Sequence, residues 1–119
     1  LSANRDPVGW WVRGKDNIEH IRKYHHNPNY ISAAQFDVAR LAMSDDLQAV
    51  VREADTVVIA VPSAFLKSTL EKLEPGAFKG KSLFSAVKGI VPETNQIVGE
   101  YLFEHWGVAE RDFGVICGP

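Results

Sequence analysis

The sequence contains a single cysteine, Cys117, among its 119 residues. An internal disulfide is therefore excluded, and the composition fits a reducing cytoplasm. No apolar run approaches the roughly 20 residues of a membrane-spanning helix, and no signal peptide is recognisable, so we expect no membrane partner. The chain carries 13 basic and 15 acidic side chains, a formal charge of -2, without a basic block. Its charge therefore gives no reason to expect nucleic acid as a partner.

Two motifs that would point to a ligand are also missing. A G-x-G-x-x-G turn, which lays a dinucleotide pyrophosphate on a helix N-terminus, occurs nowhere in the chain. The histidines have no Cys or carboxylate neighbours at metal-ligand spacing, so we predict no metal site. On pattern alone, therefore, no ligand can be named.

The most informative stretch is 56–61, Thr-Val-Val-Ile-Ala-Val, which runs directly into Pro62. An unbroken run of apolar, mostly β-branched residues is typical of a central strand in a parallel sheet, covered by helices on both faces. Pro62 cannot donate a ladder hydrogen bond, so it ends the strand, and Ser63 is predicted to cap the next helix. Because ligands of open α/β sheets bind beyond the carboxyl ends of the strands, we expect Val61, Pro62, Ser63 and Phe65 to lie at a ligand site.

Strand and helix patterns alternate along the rest of the chain. Further strands are predicted at 8–12, 38–43, 82–87 and 113–117. Helices are predicted over 16–24, from a Ser44 cap to about residue 54, after Ser63 with Leu66, Leu70 and Leu73 inward, and from Pro92 to the C′ glycine Gly107. This alternation predicts an α/β fold with a doubly wound, mostly parallel sheet.

Five short motifs then narrow the interpretation. They are 10–13 (Trp-Trp-Val-Arg), 27–30 (Asn-Pro-Asn-Tyr), 61–63 (Val-Pro-Ser), 85–90 (Ser-Ala-Val-Lys-Gly-Ile) and 115–119 (Val-Ile-Cys-Gly-Pro). In their order and spacing the chain resembles the bacterial NAD(P)-dependent glycerol-3-phosphate dehydrogenases over essentially its whole length. The resemblance implies a partial Rossmann-like NAD(P)-binding domain over 1–119, lacking its first strand and glycine-rich turn. The family's helical substrate domain, with the general acid/base lysine, would lie beyond Pro119 and is absent from this sequence.

The same resemblance implies an activity. The parent enzyme would transfer hydride between NAD(P)H and dihydroxyacetone phosphate, giving sn-glycerol 3-phosphate for phospholipid synthesis. NADP or NAD would be the cofactor, and the full-length enzyme is expected to be a cytoplasmic homodimer.

Lys88 is the strongest candidate for a catalytic role. It stands at the carboxyl end of the strand predicted at 82–87, and Gly89 after it permits a close approach by a ligand. The matching family lysine contacts both cofactor and substrate, where a cation could hold the phosphate or polarise the carbonyl. The alternative is an ordinary exposed lysine at a strand end.

Three more residues match family positions. Arg13 would lie beside the adenosine ribose, where a guanidinium suits a 2′-phosphate. Tyr30 would lie near the adenine, and the backbone of Gly118 would meet the substrate. Their alternatives are a solvated arginine, a surface tyrosine and a glycine that merely ends a strand.

Two other classes stay open at this point. Another Rossmann-type dehydrogenase, of the 6-phosphogluconate or hydroxyacid kind, would share the fold but lack the Lys88-Gly89 and Gly118-Pro119 pairs. A non-catalytic α/β binding module of the receiver type would require clustered acidic residues at the strand ends, which this sequence does not have. The dehydrogenase interpretation requires Lys88 and 61–63 to lie at the same edge of one sheet.

The missing first strand has a structural consequence. In a doubly wound sheet it lies centrally, here between 8–12 and 56–61, and without it both strands are expected to keep unpaired backbone groups. The chain begins at Leu1 rather than Met and closes on Gly118-Pro119 directly after an apolar run. We therefore expect it to be a piece of a longer polypeptide.

Overall fold

A computed structural model describes residues 8–24 and 41–116. The strands are β1 (Val8–Trp11), β2 (Leu41–Ser44), β3 (Thr56–Ile59), β4 (Ser82–Ser85), β5 (Ile90–Val91), β6 (Gln96–Ile97) and β7 (Phe113–Val115). The helices are α1 (Lys15–Tyr24), α2 (Leu47–Glu53), α3 (Ser63–Leu70), α4 (Val98–His105) and a 3₁₀ turn at Glu110–Asp112. None of the helices in these two ranges is long and apolar enough to cross a membrane. The chain divides into two compact units, residues 1–53 and 54–119.

The first unit is built on a two-stranded parallel sheet formed by β1 and β2. Ile18 and Ile21, three residues apart on α1, are buried in one small core with Val12, and Trp10 and Met43 pack against it half-exposed. The 3-residue spacing places both isoleucines on one face of the helix, which is why α1 can cover the sheet with so few apolar residues.

The predicted elements of this unit agree closely with the structure. Helix α1 begins one residue before the predicted range 16–24, and β1 ends one residue before the end of the predicted range 8–12. The strand predicted at 38–43 corresponds to β2, and residues 38–40 lie outside the described part of the chain.

The start of α2 differs from the prediction in one detail. The cap is Asp46, whose Oδ1 accepts a hydrogen bond from the Ala49 N–H at 3.2 Å, whereas Ser44 was predicted. The Ser44 hydroxyl instead accepts from the Asp46 N–H at 3.0 Å and shapes the turn between β2 and the helix. A side chain can cap only from the position next to the first helical residue, and Asp46 holds that position before Leu47.

The second unit contains a three-stranded parallel sheet in the order β3-β4-β7. In its register Ile59 lies beside Ser85, which lies beside Val115. The ladder continues past the strand ends, because the Ala86 N–H donates to the Ile59 carbonyl at 2.9 Å and the Ile116 N–H donates to the Ser85 carbonyl at 2.8 Å. The strands predicted at 56–61, 82–87 and 113–117 are confirmed but shorter at their carboxyl ends, and Cys117 lies outside the described residues.

Within residues 54–116, helices pack on one face of this sheet, whereas β3 was predicted to have helices on both faces. Ile59, Leu83 and Ser85 point into the core, whereas Val58 and Phe84 on the opposite face are exposed. The physical reason is topological. Successive crossovers from β3 to β4 and from β4 to β7 step in the same direction, and right-handed crossovers then place their helices on the same side.

The helices on the covered face have the predicted inward residues. Leu66, Leu70 and Leu73 are all buried, although α3 ends at Leu70 and Leu73 lies in the turn that follows. The end of α4 is also as predicted, since Gly107 has a left-handed φ of +64° one residue beyond the cap.

The helix predicted to begin at Pro92 is wrong in its first turn. A short antiparallel hairpin of β5 and β6 occupies this stretch, and α4 begins only at Val98. Asn95 makes the turn possible, because it adopts a left-handed φ of 55° and its N–H donates to the Val91 carbonyl at 2.8 Å. Asparagine is one of the few residue types besides glycine that tolerates this conformation.

Among residues 8–24 and 41–116, β3 pairs with β4 alone and therefore lies at the edge of its sheet. In the first unit β1 pairs with β2, and that sheet contains no third strand within the described residues. The prediction that a strand is missing between 8–12 and 56–61 stays a prediction.

Gly99 on α4 gives a first test of the packing on the covered face. A Cβ at this buried position would lie 3.2 Å from Cε1 of Phe113, whose ring meets Phe103 edge-on at 5.5 Å. We expect Gly99→Val to lower the free energy of unfolding by about 1–3 kcal/mol through overpacking, measured by urea denaturation. Glu100→Val, on the exposed side of the same helix, is the matched control and should change it by less than about 0.5 kcal/mol. Equal losses in the two variants would contradict this packing.

Candidate functional site

The carboxyl ends of β3 and β4 form one rim of the second unit. Because these strands are parallel and Ile59 pairs with Ser85, the residues that follow each strand leave the sheet side by side. The hydrogen bond from the Ala86 N–H to the Ile59 carbonyl holds the two turns next to each other. Residues 60–65 and 86–89 therefore make up what we call the rim.

The first side of the rim is the turn from β3 into α3. Val61 and Ser63 are half-buried, Pro62 is exposed, and Phe65 in the first helical turn is 48% exposed. The predicted capping role of Ser63 is wrong, because the cap position is Pro62 and it makes no side-chain capping bond. The Phe65 N–H instead donates to the Pro62 carbonyl at 2.9 Å, which closes the first turn through the backbone.

The second side of the rim is anchored by a buried hydroxyl. Ser85 is only 2% exposed, and its Oγ accepts a hydrogen bond from the Val87 N–H at 3.1 Å. This bond turns the backbone out of β4, so that Lys88 is exposed to solvent. Gly89 follows with φ +95°, a left-handed conformation that side-chain-bearing residues rarely adopt.

The two sides of the rim approach each other at Gly89. A Cβ built on this glycine would lie 3.6 Å from the Ser63 Oγ, which is van der Waals distance. The two turns therefore leave room for no more than a methyl group between them. Lys88 therefore lies at the same edge of the same sheet as Val61, Pro62 and Ser63. That is the placement the dehydrogenase interpretation requires, while contact with a cofactor or substrate stays a prediction for each of these residues.

Arg13 lies in the first unit, directly after β1. Its side chain is exposed, and its carbonyl accepts a hydrogen bond from Nδ2 of Asn17 at 2.6 Å, at the start of α1. Close by, Nε1 of Trp11 donates to the Asp45 carbonyl at 3.1 Å and ties the carboxyl ends of β1 and β2 together. Arg13 thus occupies a strand-end position of the predicted kind.

A recess of about 260 Å³ lies at the end of β2 in the first unit. Its walls include Lys15 and Arg22 from α1, together with the acids Glu19 and Asp45. Because charges of both signs line it, its electrostatics select neither an anion nor a cation, and we assign it no ligand.

Two predicted residues, Tyr30 and Gly118, lie outside the described part of the chain, and their roles stay predictions. Among residues 8–24 and 41–116, no three His, Cys, Asp or Glu side chains are grouped to hold a metal ion.

The structure adds Ser85 to the candidate residues that sequence reasoning named. The sequence offered one signal for this role, namely a serine in the otherwise apolar stretch 83–87. A buried hydroxyl needs a hydrogen-bond partner, and the nearest partner is the backbone of the turn that follows.

Ser85→Ala tests whether the hydroxyl holds the turn that presents Lys88. Removing Oγ leaves the Val87 N–H without its acceptor, so we expect a loss of about 1 kcal/mol in the free energy of unfolding and faster amide exchange at Val87. Ser82→Ala, exposed at the start of the same strand, should leave both quantities nearly unchanged. Unaltered exchange at Val87 in Ser85→Ala would rule out the anchoring role.

Comparison with known proteins agrees with this geometry. The sequence model of the family described as "NAD-dependent glycerol-3-phosphate dehydrogenase N-terminus" matches residues 1–119. A glycerol-3-phosphate dehydrogenase [NAD(P)+] of Psychrobacter arcticus is 33% identical over 109 residues, which cover 92% of this chain and 24% of the relative. Glycerol-3-phosphate dehydrogenase [NAD(P)+] 2 of Salinibacter ruber is 32% identical over 119 residues, covering 99% of this chain and 34% of the relative.

The chain thus spans a quarter to about a third of the length of these relatives. The resemblance derived from the five motifs is confirmed by a match over residues 1–119, and the alternating α/β structure with parallel sheets is consistent with the predicted Rossmann-like fold. The chain belongs to the family of NAD-dependent glycerol-3-phosphate dehydrogenase N-terminal domains.

Proposed function

We propose that this chain is the cofactor-binding part of an NAD(P)-dependent glycerol-3-phosphate dehydrogenase. Such an enzyme transfers hydride between NAD(P)H and dihydroxyacetone phosphate, and the product sn-glycerol 3-phosphate feeds phospholipid synthesis. The observation that carries the proposal is the family match over residues 1–119. It favours this function over a 6-phosphogluconate-type or hydroxyacid dehydrogenase and over a non-catalytic binding module.

The amino-acid composition of the rim suits the binding of a negatively charged dinucleotide. Residues 60–65 and 86–89 contain no acidic side chain, and their single ionic group is the Lys88 ammonium. Gly89 leaves the space beside the Ser63 hydroxyl free of a side chain, which allows a flat ring to approach the backbone. The exposed Phe65 ring offers an apolar surface next to it. When bound, the nicotinamide supplies the hydride chemistry.

Lys88 would hold the substrate against the cofactor. Its ammonium, carried on a turn anchored by Ser85, can pair with the substrate phosphate or stabilise negative charge developing on the carbonyl oxygen. Either interaction fixes the carbonyl carbon in a near-attack position, so the lysine contributes positioning as well as charge. The proton required at the carbonyl oxygen would come from a lysine outside this chain.

The remaining predicted contacts concern the adenosine half and the substrate. Arg13 would pair with the 2′-phosphate of NADP(H), since a guanidinium binds phosphate oxygens in a bidentate fork. Tyr30 would lie against the adenine, and the Gly118 backbone would contact the substrate. A helical substrate domain, a homodimeric assembly and a cytoplasmic location belong to the same proposal.

Lys88→Ala tests the central residue in a complete enzyme. This enzyme can be made by replacing the matching stretch of the Salinibacter ruber relative with the present chain. We expect kcat/KM for dihydroxyacetone phosphate to fall by about 100-fold or more, the loss typical of an oriented charge on the transition state. Lys79→Ala, an exposed lysine in the loop before β4, is the control and should retain near-normal kinetics. Near-normal kinetics in Lys88→Ala would remove Lys88 from the site.

The isolated chain provides a second test. Its 119 residues contain no glycine-rich phosphate turn, and the proposal places the general acid/base lysine elsewhere. We therefore expect the purified chain not to oxidise NADPH in the presence of dihydroxyacetone phosphate. The assay follows the absorbance of NADPH. Measurable turnover would mean that these residues hold all the groups the reaction needs.

A further inference from the structure

Ser85 is an unusual residue for the interior of this sheet. Among residues 8–24 and 41–116, the buried polar or charged residues are Thr69 and Ser85, and Ser85 is the more deeply buried of the two. It lies on the middle strand β4, whose other inward side chain, Leu83, is apolar and fully buried. A hydroxyl in such a position costs solvation free energy unless it is hydrogen-bonded. The group to which it is bonded therefore indicates what the serine does.

The hydrogen bond that the Ser85 hydroxyl accepts ends the pairing of β4 with β7. The Ser85 carbonyl accepts from the Ile116 N–H, just past β7, at 2.8 Å. The next amide, that of Ala86, points the other way and donates to the Ile59 carbonyl. Because the amides of a strand alternate in direction, the Val87 N–H of a continuing strand would point back towards β7. It donates to the Ser85 Oγ at 3.1 Å instead, so the hydroxyl replaces the next bond of the ladder.

The turn released in this way carries Lys88. This lysine follows Val87 directly and is exposed, and Gly89 after it has the left-handed φ of +95°. A glycine restrains the chain little, because it populates both signs of φ about equally. The bond from the Val87 N–H is therefore the fixed point from which the lysine extends to the rim. Without that bond the Val87 N–H could pair with water or with β7, and Lys88 would leave the sheet in more than one direction.

The pairing of β4 with its neighbours does not depend on the hydroxyl. Backbone hydrogen bonds fix the register, which places Ser85 beside Val115. On the opposite face the Phe84 ring lies across β7, since a Cβ on Gly114 would be 2.8 Å from both Cδ1 and Cε1 of the ring. Loss of the hydroxyl therefore leaves the sheet in place and changes the turn that follows it.

We propose that Ser85 is a positioning residue of the dehydrogenase and acts on the reaction through the direction that it gives to Lys88. The inference rests on the proposed function, in which the Lys88 ammonium holds the substrate phosphate or stabilises charge on the carbonyl oxygen. An oriented cation contributes to the rate only while it stays where the charge develops. A turn with several conformations lowers the fraction of complexes that meet this condition.

A double-mutant cycle in the complete enzyme built on the Salinibacter ruber relative tests this proposal. The value of kcat/KM for dihydroxyacetone phosphate is measured for the unaltered enzyme, for Ser85→Ala, for Lys88→Ala and for the double variant. We expect Ser85→Ala alone to lower kcat/KM by about tenfold. In the Lys88→Ala background the same substitution should change kcat/KM by less than about twofold, because the group that the hydroxyl directs is already gone.

Leu83→Val is the matched control for a purely structural loss. It removes one methylene from a fully buried side chain on the same face of β4, so the urea midpoint should shift by an amount similar to that in Ser85→Ala. Its kcat/KM should stay within about twofold of that of the unaltered enzyme. A loss caused by instability would be the same in both backgrounds. Equal losses for Ser85→Ala with and without Lys88, or no loss in either, would overturn the positioning role and leave the proposed function intact.

A measurement on the 119-residue chain separates the positioning role from the activity. Relaxation of the amide nitrogens, including relaxation dispersion, reports motion of the Lys88 and Gly89 amides from picoseconds to milliseconds. We expect added motion at both amides in Ser85→Ala and none in Leu83→Val. Unchanged relaxation in Ser85→Ala would overturn the proposal. Added motion together with a complete enzyme that does not oxidise NADPH would support the control of the turn by Ser85 and refute the proposed function.

Discussion

The parallel pairing of β3 with β4 is the constraint on which the candidate site depends. Because Ile59 pairs with Ser85, the carboxyl ends of the two strands are adjacent, and the turns that follow them leave the sheet side by side. Ser63 and Gly89 lie close together for this reason, although 26 positions separate them in the sequence. A shift of the pairing by one residue would reverse the faces of β4 and bury Phe84 in place of Ser85.

Ser85 links the core to the rim chemically. Its side chain lies on the same buried face as Leu83. A hydroxyl there is useful because it reaches the backbone of the next turn and fixes the direction in which Lys88 leaves the sheet. The cost of burying a polar group is offset by the hydrogen bond to Val87, so the same residue serves packing and presentation.

The sequence predicted the strands and helices well where burial dominates, as in the run 56–61 and the leucines of α3. The prediction was less successful where the backbone conformation of a single residue determines the local structure. The left-handed Asn95 creates a hairpin that the spacing of apolar residues cannot reveal. A valine-rich run also does not tell which of its faces has a partner, so the exposure of Val58 was missed. At the site, motif spacing placed Lys88 and Pro62 on one rim, but the hydrogen bond of Ser85 depends on geometry that only coordinates give.

The contact between Phe84 and Gly114 makes these two positions interdependent. Any β-carbon at position 114 would meet the aromatic ring, whereas a small residue at position 84 would free the neighbouring strand to carry a side chain. The effects of substitutions at the two positions should therefore not be additive. In this chain, a larger residue at position 114 would require the Phe84 ring to move, so the aromatic residue on the middle strand favours glycine beside it.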